Sequence, residues 1–323
     1  VNIAIIGAGI AGVVLADRLR GAGHAVTVFE KSRGAGGRIA TRRTDGFAFD
    51  HGAPYFTARS DTFRAFLAPL IARGVVAEWQ GRFARIGADG VAVPERARAA
   101  RFVAVPAMNA LCKALIADAD LRTGVEVAPI REPGELHDTE GNGLGRFDWI
   151  ISTAPGPQTG ALFADVASVP LAPNHMSGGF TTMLGCAESH DPGWDMAHVD
   201  DAVIGSVIVD SAKPGRDATW PAFVVHAQTD WAGPRIDEDP ATIQTVILEG
   251  FARLSGIDPN TAQYLATHRW RYAHAGAGLP AGYMVEPAEG VAACGDWCRE
   301  GGGVEGAFLS ARALANRLLD SVG

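Results

Sequence analysis

Lysine is nearly missing: among 28 basic residues only Lys31, Lys113 and Lys213 are lysines, which reads as genome composition rather than function. Cysteine is scarce too. Cys112, Cys186, Cys294 and Cys298 are too few for a disulfide scaffold and form no C-x-x-C, so a reduced, cytoplasmic setting is expected. No apolar run approaches the ~18 residues of a membrane span. The apolar start from Ile3 to Ala16 lacks the basic segment that opens a secretory signal. An excess of positive charge is also lacking. With a net charge of −8 and dispersed arginines, neither nucleic acid nor an anionic membrane is an expected partner. H-E-x-x-H, paired Cys/His spacing and an EF-hand loop are absent, so no metal is expected. Gly205-Ser-Val-Ile is not G-x-S-x-G, which leaves a serine hydrolase without support.

Glycine is what the chain has in excess. Its 40 glycines are about 12% of the sequence against a usual share of about 7%, with no G-X-Y period. They concentrate toward the two ends of the sequence. The β-branched run Asn2–Ile6 reads as a buried parallel strand, followed by a helix over Ile10–Arg20 and a second strand over Ala25–Glu30. Helices are expected over Asp61–Arg73, Pro106–Ala117 and Val304–Leu319, with Phe63, Phe66, Leu67, Leu70 and Ile71 on one face of the first. Strands are expected over Gly124–Ala128, Phe147–Thr153, Val203–Val209, Ala222–His226 and Val291–Cys294, a hairpin or excursion over Glu132–Gly145, and a helix capped by Asp239. The fold class is therefore α/β. It comprises a discontinuous Rossmann-like dinucleotide-binding domain (1–56, 101–156 and 276–323) and an inserted α+β substrate domain (57–100 and 157–275).

Gly7-Ala8-Gly9-Ile10-Ala11-Gly12 is G-x-G-x-x-G, set between the first strand and its helix. The first glycine permits the turn, the second lets a pyrophosphate approach the backbone, and the third lets helix and strand pack. The free N–H groups of the helix then face the anion. Glu30 ends the second strand where a carboxylate would accept from ribose hydroxyls. Glu30 also disfavours a 2′-phosphate, although Lys31 and Arg33 soften that objection. A second glycine cluster, Gly34-Ala-Gly36-Gly37-Arg38, would carry the chain close to the cofactor, with Arg38 suited to a pyrophosphate.

In succession, the fingerprint, Glu30 and G-x-G-G-R resemble the flavin-containing amine oxidase superfamily, whose members bind FAD in extended form. The continuation Ile39-Ala-Thr-Arg-Arg43 and Asp50-His-Gly-Ala-Pro-Tyr-Phe56 resembles its renalase-like branch, especially the bacterial one. His268-Arg-Trp-Arg-Tyr-Ala273 is similar to a signature segment of that branch. Val291-Ala-Ala-Cys-Gly295-Asp296-Trp297 and Gly301-Gly-Gly-Val-Glu-Gly306-Ala307 are similar to its closing flavin motif.

The resemblance implies FAD, and non-covalent FAD, because His268–Ala273 holds no cysteine. Cofactor contacts are expected from Gly7, Gly9, Ala11, Gly12, Glu30, Lys31, Gly37, Arg38, His51, Gly52, Ala53, Tyr55, Phe56, Val127, Asp296, Gly303 and Val304. Val127 would meet the adenine, the stretch from His51 to Phe56 the flavin ring, and the start of the last helix the flavin pyrimidine. Tyr55, His226, Trp270 and Tyr272 are the substrate-facing candidates, although buried structural roles suit the same residues. The activity implied is oxidation of the 2- and 6-dihydro isomers of NAD(P)H to NAD(P)+ with O2 reduced to H2O2, a metabolite repair. The partners would be a nicotinamide dinucleotide and O2. An amine oxidase is the alternative, but it wants a lysine near the flavin, for which only Lys213 remains. A polyene desaturase and a non-catalytic FAD-binding protein are further readings.

Overall fold

The computed structural model describes residues 1–44, 46–96, 98–166, 176–188 and 190–322. The chain divides into two compact units. Unit 1 comprises Val1–Gly37, Leu111–Met176 and His274–Gly323, and unit 2 comprises Arg38–Ala110 and Ser177–Ala273. The first boundary therefore falls at Gly37 rather than at residue 56. His51 to Phe56, expected within the dinucleotide-binding domain, belong to unit 2.

Unit 1 is built on a sheet whose described strands run in the order Asp120–Thr123, Ala25–Glu30, Asn2–Ile6, Trp149–Ser152, Val291–Ala293, Met284–Glu286. All neighbours are parallel except the last pair. Ile3, Ala4 and Ile5 lie at the centre of this sheet and are fully buried, as expected of a strand covered on both faces. The helices Ile10–Gly21 and Gly303–Val322 pack against each other, which joins the two ends of the sequence in one layer.

Three details differ from the sequence reading. The strand beside Ala25–Glu30 is Asp120–Thr123, not Gly124–Ala128, because Gly124 turns left-handed (φ +72°) and ends it. Val127 makes only an isolated bridge with Asp138. The expected helix from Pro106 begins at Ala110.

Unit 2 carries a sheet in the order Ala262–His274, Ser177–Cys186, Ala222–Ala227, Ile204–Val209, Met196–Val199, Phe83–Ile86, Ala92–Pro94. The helix Pro240–Ser255 buries Ile243, Ile247 and Phe251 in the core of this unit. Its ends follow local chemistry: the Asp239 side chain accepts from Ala241 N–H, and Gly256 closes it in the left-handed region. The helix Asp61–Ala72 is capped by Ser60, which accepts from Phe63 N–H. It buries Phe63, Leu67 and Leu70, while Ile71, expected inward, is 41% exposed. Among the described residues no helix is long and apolar enough to cross a membrane.

Candidate functional site

In unit 1 the fingerprint forms the turn its glycines suggest. Gly7 has φ +104°, and its N–H donates to the Phe29 carbonyl (2.8 Å). The Thr153 hydroxyl donates to the carbonyls of Ile6 and Gly7, each at 3.0 Å, and fixes the turn from the neighbouring strand. A Cβ on Gly12 would stand 1.9 Å from the Gly7 carbonyl oxygen, so helix and turn are as close as glycine allows. A Cβ on Gly9 would meet nothing within 4 Å. Gly9 is therefore small where the protein itself needs no smallness, at the uncapped N-terminus of a 12-residue helix. That open space before free N–H groups fits a pyrophosphate.

Glu30 is buried, with Oε2 accepting from Ala8 N–H and Oε1 from Ser32 N–H, both at 2.8 Å. The carboxylate is thereby fixed at the strand end, and each oxygen keeps a second lone pair for a hydroxyl. Lys31 lies outside this cradle, with an exposed ammonium 3.6 Å from Glu126. The second glycine cluster folds onto the first: Gly36 N–H donates to the Ala8 carbonyl, and a Cβ on Gly37 would lie 3.3 Å from the Gly9 Cα. The last helix begins at Gly303, with Val304 and Asp296 both buried near its start. The Cys298 thiol, pushed up to about 12 by burial, is a poor nucleophile at neutral pH.

In unit 2 the stretch from 50 to 56 splits between two environments. Gly52 lies against the backbone of Arg38, where a Cβ would come within 1.9 Å of the carbonyl oxygen that accepts from Ala53 N–H. Arg38 itself reaches back to the Ala273 carbonyl (3.4 Å). Phe56, expected to shape a pocket beside the flavin, is buried with Phe63 and Phe102 for neighbours. Its place follows from the short strand Phe56–Thr57, which pairs with Arg101–Ala104 and turns the ring inward. Tyr55 is half-buried under the Arg101 guanidinium, 5.1 Å from the ring centroid.

His51, His268 and Trp270 form one cluster. The His51 ring stacks on Trp270 (centroids 5.1 Å, 30°), His268 meets Trp270 edge-on at 4.3 Å, and the two imidazoles stand 4.9 Å apart. Trp270 Nε1–H donates to the His51 carbonyl at 3.0 Å. Burial, mutual repulsion and the nearby Arg42 lower His51 to about 4, and burial followed by Arg42 lowers His268 to about 4. Both rings are neutral at pH 7. A backbone hydrogen bond at Phe49 acts the other way on His51 without offsetting its burial. Tyr272 shares the side of the strand that carries His268 and Trp270. His226 stands two strands away, with Ser177–Cys186 between.

One group of residues went unnoticed in the sequence. Asp50, Asp210, Lys213 and Arg216 form a buried ionic cluster in unit 2, with Lys213 bound by both aspartates. Arg216 Nη2 reaches Asp50 at 2.6 Å. Burial alone would raise Asp50, but the charges of Lys213 and Arg216 hold it below the usual carboxylate range. In Asp210 burial prevails and the carboxyl is raised. The cluster's one local signal is the i, i+3 spacing of Asp210 and Lys213. Nothing in the sequence placed Asp50 between Lys213 and Arg216, more than 160 residues away.

Comparison with known proteins agrees with this architecture. Residues 5–70 match the family described as NAD(P)-binding Rossmann-like domain. The 4,4'-diapophytoene desaturase of Staphylococcus haemolyticus is 44% identical over 63 residues, which are 20% of this chain and 12% of the desaturase. The chain thus spans only a small part of the curated relatives it matches. A candidate protoporphyrinogen oxidase from Exiguobacterium sp. 255-15 superposes with a TM-score of 0.76 at 14% identity, over 98% of each chain. Wild-type putrescine oxidase bound to putrescine does so with 0.69 at 14%, over 99% of each. The chain has the mixed α/β fold of these solved structures, and its Rossmann-like match falls on residues 5–70.

Proposed function

We propose that the chain is an FAD-dependent oxidase that holds FAD without a covalent bond and oxidises the 2- and 6-dihydro isomers of NAD(P)H to NAD(P)+. The observation that carries the cofactor is the cradle of unit 1: open space over Gly9 at a helix N-terminus, with the buried Glu30 carboxylate fixed at the adjoining strand end. Bound FAD supplies the hydride acceptor, and dioxygen, reduced to H2O2, restores it. The chain's own residues bind and orient. Glu30 holds the adenosine ribose, Gly9 admits the pyrophosphate, and Trp270 with neutral His51 and His268 offers a flat, uncharged face to a nicotinamide ring. Oxidation leaves that ring aromatic and cationic, so no strong base is required, and uncharged imidazoles do not oppose the new charge.

The amine oxidase alternative loses support at its lysine. Lys213 is fully buried and committed to Asp50 and Asp210. Lys31 pairs with Glu126 at the surface, and Lys113 is exposed on a short helix.

Purified protein mixed anaerobically with 2-dihydroNAD(P), 6-dihydroNAD(P), ordinary NADH and a panel of amines is expected to bleach its flavin rapidly with the two isomers. Bleaching by amines alone would sink the reading, and bleaching by none would favour a non-catalytic flavoprotein. Glu30→Ala removes the acceptor for two backbone N–H groups together with the ribose contact. FAD affinity is expected to fall at least about tenfold, with stability lower by about 1–3 kcal/mol; equilibrium dialysis and thermal unfolding read the two effects. Trp270→Ala is expected to retain FAD while turnover falls about tenfold or more. Unchanged kinetics would assign Trp270 to packing alone.

A further inference from the structure

We propose that the buried Asp50–Lys213–Arg216 cluster is a positioning device for Trp270, acting through the backbone of His51. Asp50 is held from every side. Its Oδ1 accepts from the Thr41 hydroxyl (2.6 Å) and Met108 N–H (3.0 Å), and its Oδ2 from Lys213 Nζ (3.2 Å) and Arg216 Nη2 (2.6 Å). Its own N–H donates to Asp210 Oδ2 (2.8 Å). Side chain and incoming amide of one residue are thus tied to three separate stretches of the chain, at residues 41, 108 and 210–216. The next carbonyl is that of His51, the acceptor of the Trp270 indole N–H, and the imidazole of the same residue stacks on the indole face. Residue 51 therefore grips Trp270 at its polar edge and its flat side, and residue 50 fixes where residue 51 stands.

Stability alone does not call for this arrangement. A buried ionic cluster is commonly no better than a packed apolar one of the same volume. What charged donors add is direction, because each fixes the angle at which a carboxylate oxygen lies. Arg216 is anchored in its turn by the carbonyls of Ala104 (2.6 Å) and Pro214 (2.9 Å), so the donor is itself oriented. The catalytic importance of this device rests on the reading that Trp270 meets the substrate; the mechanical claim does not.

The test uses the whole chain labelled with 15N-tryptophan, which has seven indoles. The Trp270 indole signal is the one lost in Trp270→Phe. Lys213→Met and the milder Thr41→Val are then compared with the parent chain. In both, the Trp270 indole N–H is expected to shift and to exchange with solvent at least about tenfold faster, while indoles remote from the cluster keep their positions. Turnover per bound flavin is expected to fall, and the losses from Thr41→Val and Trp270→Phe to be non-additive in kcat/KM, since one acts through the other. Should Lys213→Met not fold, Thr41→Val carries the test alone. An unmoved Trp270 signal in the folded variants overturns the proposal, as do strictly additive kinetic losses. Failure of the oxidase reading looks different: Trp270→Phe leaves turnover intact, or no flavin is bound, while the indole measurement still decides the mechanical claim.

Discussion

Gly12→Ala is expected to give a protein that is purified without FAD and binds it at least about a hundredfold more weakly, a loss of about 3 kcal/mol. The added methyl would stand 1.9 Å from the Gly7 carbonyl oxygen and 2.9 Å from the Thr153 hydroxyl, and separations under 3.0 Å are essentially never seen for a real Cβ. Neither neighbour is free to retreat. The Gly7 carbonyl follows directly on the buried strand Asn2–Ile6, which is paired on both sides, and Thr153 holds the turn by two hydrogen bonds. The helix must move instead, and with it the N–H groups that would face the pyrophosphate. Unfolding temperature should fall alongside binding. Gly9→Ala separates the two effects. Gly9 has φ −76°, which alanine adopts freely, and its methyl meets nothing within 4 Å in the chain itself. It should fold with an unchanged melting temperature and still lose FAD, because the methyl fills the space assigned to the cofactor. If Gly9→Ala protein retained FAD at parent affinity, the pyrophosphate would not lie where the cradle places it.

The nucleotide cradle was legible because its residues are local. Gly7, Gly9, Gly12 and Glu30 fall within one strand-helix-strand unit, and each owes its identity to a neighbour a few positions away or one strand across. The start of the helix at Asp239 was legible for the same reason. Elements whose form depends on distant partners were not. The strand expected at Gly124–Ala128 has suitable β-branched residues, yet pairing with Ala25–Glu30 selects Asp120–Thr123, a polar segment with little intrinsic preference for a strand. Phe56 and Tyr55 are adjacent and both aromatic. Only the pairing with Arg101–Ala104 sends Phe56 into the core and leaves Tyr55 beneath Arg101. The cluster around Asp50 is the extreme case, since its members are unremarkable singly and acquire their meaning only in contact.

Acid is expected to weaken unit 2 in two separate stages, and the first belongs to the site. His51 and His268 titrate at about 4 in the folded protein against 6.5 when unfolded. Between those values the unfolded chain binds more protons than the folded one, so stability rises with pH across that window. The contribution is complete above about pH 6.5 and disappears as pH falls through 4. For the buried His51 alone it amounts to about 3 kcal/mol, while for the partly exposed His268 solvent screening leaves less. The two do not add fully, because part of the His51 effect is repulsion from His268. Asp50 acts in a different range. Its folded carboxyl lies below the unfolded value of 3.8, so its contribution persists above that pH and is lost only on further acidification, a loss that the raised Asp210 carboxyl beside it partly offsets. Urea unfolding midpoints should therefore fall steeply between pH 6.5 and 4 and fall again below. In the double variant His51→Phe/His268→Phe, which keeps two aromatic rings beside Trp270, the first decline should largely vanish and the second remain. A parent protein equally stable at pH 7 and pH 4 would show that the imidazoles are not held neutral by their surroundings. It would also remove the reason for regarding the face around Trp270 as uncharged toward a ring that becomes cationic on oxidation.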